Sequence, residues 1–262
     1  MDEQKSVFTL TLGDQAENHK GMEILGKMVE KGQGFNFEDL LTIQDNLSKI
    51  KIKSTIYNLN KAIEGTGIIG EPAWVLVAEN AVNSLLTPLG YNGNDLFSEQ
   101  AKLDMDTKAF MYGRVVNKHA RYNLCFDDFN RDPEYASGKG RIVAFENVPI
   151  TKGLIGQIEK YFTDKAKGLK GEGNYYYDIS KCGIGAHGDS ERRKVIAIRM
   201  GASMPIYFHW YKDNETIGTK IEIPLNGGDM YVMSEKAVGT DWKMKKIATL
   251  RHATGCKKFT DF

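Results

Sequence analysis

The residues of this chain best suited to chemistry are two histidines and one aspartate. His187 and Asp189 lie two apart, and His252 follows far downstream. Side chains at i and i+2 of an extended segment project to the same face. Two neutral imidazoles and one ionised carboxylate on one side of a metal leave the opposite positions open. That is the facial arrangement of non-haem Fe(II) oxygenases. An HxD pair by itself is common, and a single histidine is more often a hydrogen-bonded core or surface residue. The joint pattern and the sequence around it single these three out.

The elements that must hold such a site are legible on both sides of it. Upstream, Gly171, Gly173, Gly183 and Gly185 punctuate an aromatic run that leads into His187. Downstream, Val195–Gly201, Pro205–Tyr211, Thr219–Leu225 and Asp229–Met233 alternate with period two, and Ala248–His252 delivers the second imidazole. With Asn214, Gly218, Asn226, Gly227 and Gly228 as turn residues, these runs predict an antiparallel unit of two packed sheets, a jelly roll. Metal ligands at its mouth would gain from rigid strand ends and an open rim.

Asn174, Tyr176, Asp178, Ile184, Gly185, His187 and Asp189 resemble the N-x-Y-x-D…I-G-x-H-x-D signature of the AlkB-like Fe(II)/2-oxoglutarate dioxygenases. One extra residue stands between Asp178 and Ile184 relative to that pattern. The resemblance runs from about Arg114 to Phe262, through Val195–Gly201, the GDMYVM run ending at Met233 and the His252 strand. It implies an α+β fold with a double-stranded β-helix (jelly-roll) core and flanking helices, with residues 111–262 as the dioxygenase domain. It implies His187, Asp189 and His252 as Fe(II) ligands, and Asn174 and Tyr176 as hydrogen-bonding partners of 2-oxoglutarate. Packing inside the barrel is the plain alternative for those two. The chemistry it implies consumes O2 and 2-oxoglutarate, releases succinate and CO2, and hydroxylates a substrate C–H. On an N-methyl group the product collapses to formaldehyde and the demethylated base, presented by single-stranded or flipped-out nucleic acid.

In that family a final strand after the second histidine carries an arginine that anchors the distal carboxylate of 2-oxoglutarate. Only ten residues remain after His252 (262 − 252). Lys258, or its neighbour Lys257, is one expected anchor. Arg121 is the other, at the head of Arg121–Phe126 (RYNLCF), which looks like that final strand moved upstream. Asp127 stands where the family has a second arginine. Lys118, Ala120 and Tyr122 resemble a K-x-A-x-Y lid segment, so Lys118 and Tyr122 are expected substrate contacts. Arg192, just after the metal motif, and Trp242, beside Lys243–Lys246, are further candidates through phosphate contact and stacking. The same residues also suit a solvated hairpin edge.

Composition sets the remaining bounds. Of 262 residues, 41% are hydrophobic and 26% charged, ordinary for a soluble globular chain long enough to bury a full core. No apolar run reaches bilayer-spanning length, and residues 1–20 lack a signal-peptide layout. Cys125, Cys182 and Cys256 form no CxxC pair, which suits a reducing, intracellular compartment. Net charge is +1, divided into −6 over residues 1–100 (8 Lys/Arg, 14 Asp/Glu) and +7 over 101–262 (27 against 20). The basic half would favour an anionic ligand.

Residues 1–110 lie outside the resemblance and read as a mixed α/β N-terminal region of unknown role. Phe8–Leu12 is an expected strand, Gly21–Lys31 and Glu38–Lys49 expected helices, and Ala73–Ala78 a buried strand. Gly65–Gly70 and Gly90–Gly93 are turn material. Thr151–Lys167 is an expected amphipathic helix with Thr151 as N-cap. His19, His119 and His209 read as loop, lid or surface, and structural strand residues. Three functions stay open: a dioxygenase acting on a nucleobase, the same chemistry on a protein side chain or small metabolite, and a catalytically silent jelly-roll binding module.

Overall fold

In the computed structural model, which describes residues 4–262, antiparallel sheet dominates a mixed α+β architecture. The strands before the aromatic run are β1 (Val7–Gly13), β2 (Gln15–Glu17), β3 (Ile24–Gly26), β4 (Ser54–Asn58), β5 (Trp74–Ala78), β6 (Lys108–Met111), β7 (Arg114–Asn117), β8 (Tyr122–Asp127) and β9 (Ile142–Ala144). They are followed by β10 (Lys170–Tyr176), β11 (Gly183–His187), β12 (Val195–Gly201), β13 (Ile206–Lys212), β14 (Glu215–Ile223), β15 (Met230–Met233) and β16 (Thr249–Gly255). The helices are α1 (Phe37–Lys49), α2 (Ala81–Leu86), α3 (Gly93–Ala101), α4 (Pro149–Tyr161), α5 (Glu235–Val238) and α6 (Lys257–Thr260).

The larger sheet runs β4-β5-β15-β12-β1-β10-β8-β9, and the smaller runs β11-β16-β13-β14. From β10 onward the chain moves between them: β10 in the larger, β11 in the smaller, β12 back, β13 and β14 across, β15 back, β16 across. One more crossing would enter the larger sheet between β12 and β10. That place is filled by β1, antiparallel to both, with Thr9 opposite Arg199 on one side and Asn174 on the other.

Alternation along β12 shows how the layers are made. Ile196, Ile198 and Met200 point outward into a core roofed by α1, α2, α3 and α4 through Leu40, Val82, Phe97 and Leu154. Val195 and Ala197 point inward, against Phe208, Trp210 and Leu250 of the smaller sheet. A strand buried on both faces needs a continuous apolar run. Arg199 is the charged exception, and it falls on the inward side.

Several expectations change here. The boundary at 110/111 falls inside β6, and β1, β4 and β5 of the N-terminal region are strands of the larger sheet. The Trp210 indole N–H also donates to the Leu59 carbonyl at 2.9 Å, tying that region to the smaller sheet. Gly21–Lys31 is not a helix but β3 and loop. Gly26 is left-handed (φ 83°), and an added Cβ there would collide with the Asp14 carbonyl, while Val29 N–H is held by the Asp14 carboxylate at 2.9 Å. α4 begins at Pro149 rather than Thr151 and stops at Tyr161. Its first N–H groups are capped from a distance, the Glu99 carboxylate accepting from Ile150 (2.8 Å) and Thr151 (2.9 Å). β14 starts four residues early, with Gly218 inside it at φ 70°, pressed on the Ala62 carbonyl instead of forming the turn.

Candidate metal centre

β11 ends at His187, and β16 places His252 directly opposite, so the two imidazoles are cross-strand neighbours with ring centroids 4.5 Å apart. Asp189 lies just past the strand end, its backbone N–H donating to the Val238 carbonyl at 3.0 Å. Both His187 Nε2 and His252 Nε2 stand 3.5 Å from Asp189 Oδ1. One donor atom from each of the three residues lies within 4.8 Å of the others. Bonds of about 2.0–2.2 Å from nitrogen and oxygen to one ion bridge separations near 3.5 Å.

Protonation suits metal binding. His187 Nδ1 lies 2.8 Å from the Gly185 carbonyl, so its N–H donates there and Nε2 keeps its lone pair for the cluster. Burial and the neighbouring His187 push the His252 pKa down, favouring a neutral ring. Burial alone would raise Asp189, but Arg192 and the two imidazoles hold its carboxyl well below the usual carboxylate range. Two neutral nitrogens and one ionised oxygen are the donor set that borderline and harder divalent ions take. The residues present fit an Fe(II)-type ion.

Arg192 is central to this electrostatics: it lines the cavity, with its guanidinium engaged by carboxylates. Its side chain is 4% exposed, paired with Glu172 and, at 2.7 Å, with Glu191; its Nε is 3.6 Å from Asp189 Oδ2. Asp189 therefore turns Oδ1 to the imidazoles and Oδ2 to the guanidinium.

A cavity of about 670 Å³ opens from the triad. Its inner wall is the larger sheet, through Thr9, Thr11, Glu172, Asn174, Tyr176, Arg199 and Tyr231; its mouth carries Glu17, His19, Lys20, Glu191, Trp242 and Lys243. Asn174 is already committed: its Oδ1 accepts from Arg121 Nε (2.6 Å) and Asn123 (2.8 Å), and its Nδ2 donates to Glu172 (3.0 Å). Burial raises the pKa of Tyr176, opposed by Arg121 and Arg199, which places the phenol in the field of both guanidiniums. Burial also lifts Glu17 to about 7, partly offset by the hydrogen bond from Gly21 N–H (2.7 Å) and reinforced by Glu191 and Glu172.

Other expected contacts lie elsewhere. Lys118 is buried, donating to Asn18 (2.8 Å) and Asn123 (2.9 Å), where it fastens the β2–β3 hairpin to β8. Tyr122 stacks on Tyr177 at 4.9 Å and packs toward the outer core, not the cavity. Lys258 is exposed on α6, its Nζ over the Phe259 ring, and neither it nor Lys257 lines the cavity. Trp242 does line the mouth. Its indole N–H donates to Ser190 (2.9 Å), and its ring is flanked by Arg251, Lys243 and Lys20 at 5.2, 5.5 and 5.9 Å. His209 is buried beside Tyr211 and Phe262, outside the cavity, and His119 is exposed. The cavity residues that sequence reasoning missed are Thr9, Thr11, Glu17, Glu172, Tyr231 and Arg199. Of these, Arg199 carried a usable signal, a lone charge at an inward position of VIAIRMG. The three cysteines are free, and among the described residues no helix is long and apolar enough to cross a membrane.

No family model matches the chain. A protein of Acanthamoeba polyphaga mimivirus, "Uncharacterized protein R156", is 45% identical over 262 residues, with 99% of each chain covered.

Proposed function

We propose, for a chain that belongs to one family with that mimivirus protein, an Fe(II)- and 2-oxoglutarate-dependent dioxygenase of AlkB-like type on a jelly-roll core. The observation that carries this reading is the convergence of His187, Asp189 and His252 at the edge of a cavity large enough for a keto acid and a substrate group. The alternation of β10–β16 between two sheets supports the jelly roll, with β1 closing it in place of a strand after β16.

Bound Fe(II) with 2-oxoglutarate and O2 would supply oxidation of a substrate C–H. The protein's own residues do the rest. Gly185 fixes the tautomer of His187, and Arg192 fixes the rotation of Asp189. Tyr176 offers a buried hydroxyl on the inner wall, and Val195, Ile206 and Met233 add buried apolar lining to the same cavity.

The substrate class that follows the resemblance is an N-alkylated nucleobase. One observation favours the second reading, the same chemistry on a protein side chain or small metabolite. Lys118 and Tyr122, the lid residues of the nucleotide-binding pattern, do not reach the cavity.

The test is anaerobic titration with Fe(II) or Mn(II), followed by succinate release from 2-oxoglutarate with methylated oligonucleotides and peptides as substrates. His187→Ala, Asp189→Ala and His252→Ala should each weaken metal binding at least ~100-fold and abolish succinate release while the circular dichroism spectrum is kept. Wild-type metal affinity in any of the three variants would refute the assignment.

A further inference from the structure

We propose that the inner end of the cavity is a carboxylate-binding subsite built by Arg199 of β12 and Thr9 of β1, so that β1 is part of the ligand site. Arg199 is 1% exposed, and its Nε and Nη1 have no hydrogen-bond partner among the described residues. Thr9, directly opposite it across the β1–β12 ladder, is 5% exposed, and its Oγ1 is likewise unpartnered. Both line the cavity. A buried guanidinium without a counter-charge is costly, and buried polar atoms are nearly always paired in folded proteins. A planar carboxylate can take two parallel N–H bonds from Arg199, one from Nη2 and one from an unpartnered nitrogen, together with an O–H bond from Thr9.

Competing cations are less suited to the role. Arg192 already serves Glu172, Glu191 and Asp189; Arg121 has its Nε on Asn174; Lys258 is outside the cavity. The topology accounts for an anchor on β12. The strand that would follow β16 is replaced by β1, which brings threonines and no cation to the wall, and the charge stands one strand over, at Arg199. The proposal rests on the dioxygenase reading only in naming the ligand as a keto diacid. The subsite itself rests on the two unpartnered groups.

Calorimetric titration of the Mn(II)-loaded full chain with 2-oxoglutarate, and with 2-oxopentanoate, which lacks the distal carboxylate, tests it. Wild type should prefer 2-oxoglutarate by roughly 100-fold, in line with a buried charge-assisted bidentate pair. Arg199→Met should lose that preference, Arg199→Lys should recover part of it, and Thr9→Val should weaken 2-oxoglutarate several-fold. Mn(II) affinity without keto acid should be unchanged in all three, which separates loss of the subsite from loss of the fold. Lys258→Met should leave binding as in wild type. Retention of the full preference in both Arg199 variants, or a larger loss in Arg121→Met than in Arg199→Met, would overturn the proposal. If wild type binds Mn(II) but no keto acid, the dioxygenase reading fails. Glutarate titrated into the metal-free protein then tests the subsite alone, with binding lost in Arg199→Met expected and unchanged binding overturning it.

Discussion

Replacing Arg192 with methionine removes one cation from a cluster of three carboxylates while keeping most of the side-chain volume. The exposures are 4% for Arg192, 10% for Glu172 and 14% each for Asp189 and Glu191, so water cannot take over the lost charge. Removing one member of a buried ion pair costs about 3–5 kcal/mol, most of it from the charge left behind. For a chain of this size 1 kcal/mol is worth about 2–4 °C, so Arg192→Met should lower Tm by roughly 10 °C in chelator-containing buffer. If the cost comes from stranded carboxylates, removing one of them should restore stability. Arg192→Met combined with Glu172→Gln should therefore be more stable than Arg192→Met alone, with a coupling energy of about 1.5 kcal/mol or more in urea denaturation. The reasoning would be refuted by a Tm within 2 °C of wild type on the scale of about 2–4 °C per kcal/mol. Simple additivity of the two substitutions would refute it equally.

Two further outcomes follow from the site. Gly188 sits between the ligands His187 and Asp189, and an added Cβ would press into the Gly239 carbonyl and lie 2.8 Å from Trp242 Cβ. Gly188→Ala should weaken metal binding by at least ~10-fold through misplacement of Asp189, as loss of supporting contacts does elsewhere; Mn(II) titration by electron paramagnetic resonance checks it, and an unchanged constant rejects the steric argument. Glu17, raised by burial from 4.5 to about 7, binds its proton more tightly in the folded state than in the unfolded one. Its stabilising contribution is full below pH 4.5 and is lost as pH rises through 7. Discounted for partial exposure, Glu17→Gln should gain about 1–2 kcal/mol over wild type at pH 8 and nothing near pH 4, measured by urea denaturation. An equal difference at both pH values rejects it.

The strands of residues 195–255 were legible because alternation is imposed by burial, and a run such as VIAIRMG has few other uses. The pairing of His187 with His252 was not visible in spacing. It comes from a register between strands far apart in sequence, which only the sheet fixes. The helix expected over Gly21–Lys31 failed because Ile24, Leu25 and Met28 have helical spacing, while Gly26 in its left-handed conformation ends any helix there. The Asn92–Asp95 capping box of α3 was present in the sequence but overshadowed by the neighbouring glycines. Lys118 misled because a lysine in a lid-like segment reads as a ligand contact. What holds it inside are Asn18 and Asn123, whose approach depends on the β2–β3 hairpin folding over β8. Chain order gives no hint that β1 enters the sheet beside β10, so the pairing of Thr9 with Arg199 is not legible in spacing.

That insertion bears on how the protein is made. β1 leaves the ribosome well before β10 and β12, its neighbours on both sides. At about 5–20 residues per second, it waits roughly 10–40 s for them. Through that interval VFTLTLG has two unsatisfied edges, the kind of segment that seeks other chains or a chaperone. The sheet can be zipped only around a segment synthesised long beforehand, so this topology favours slow, late-closing folding over folding in order of synthesis.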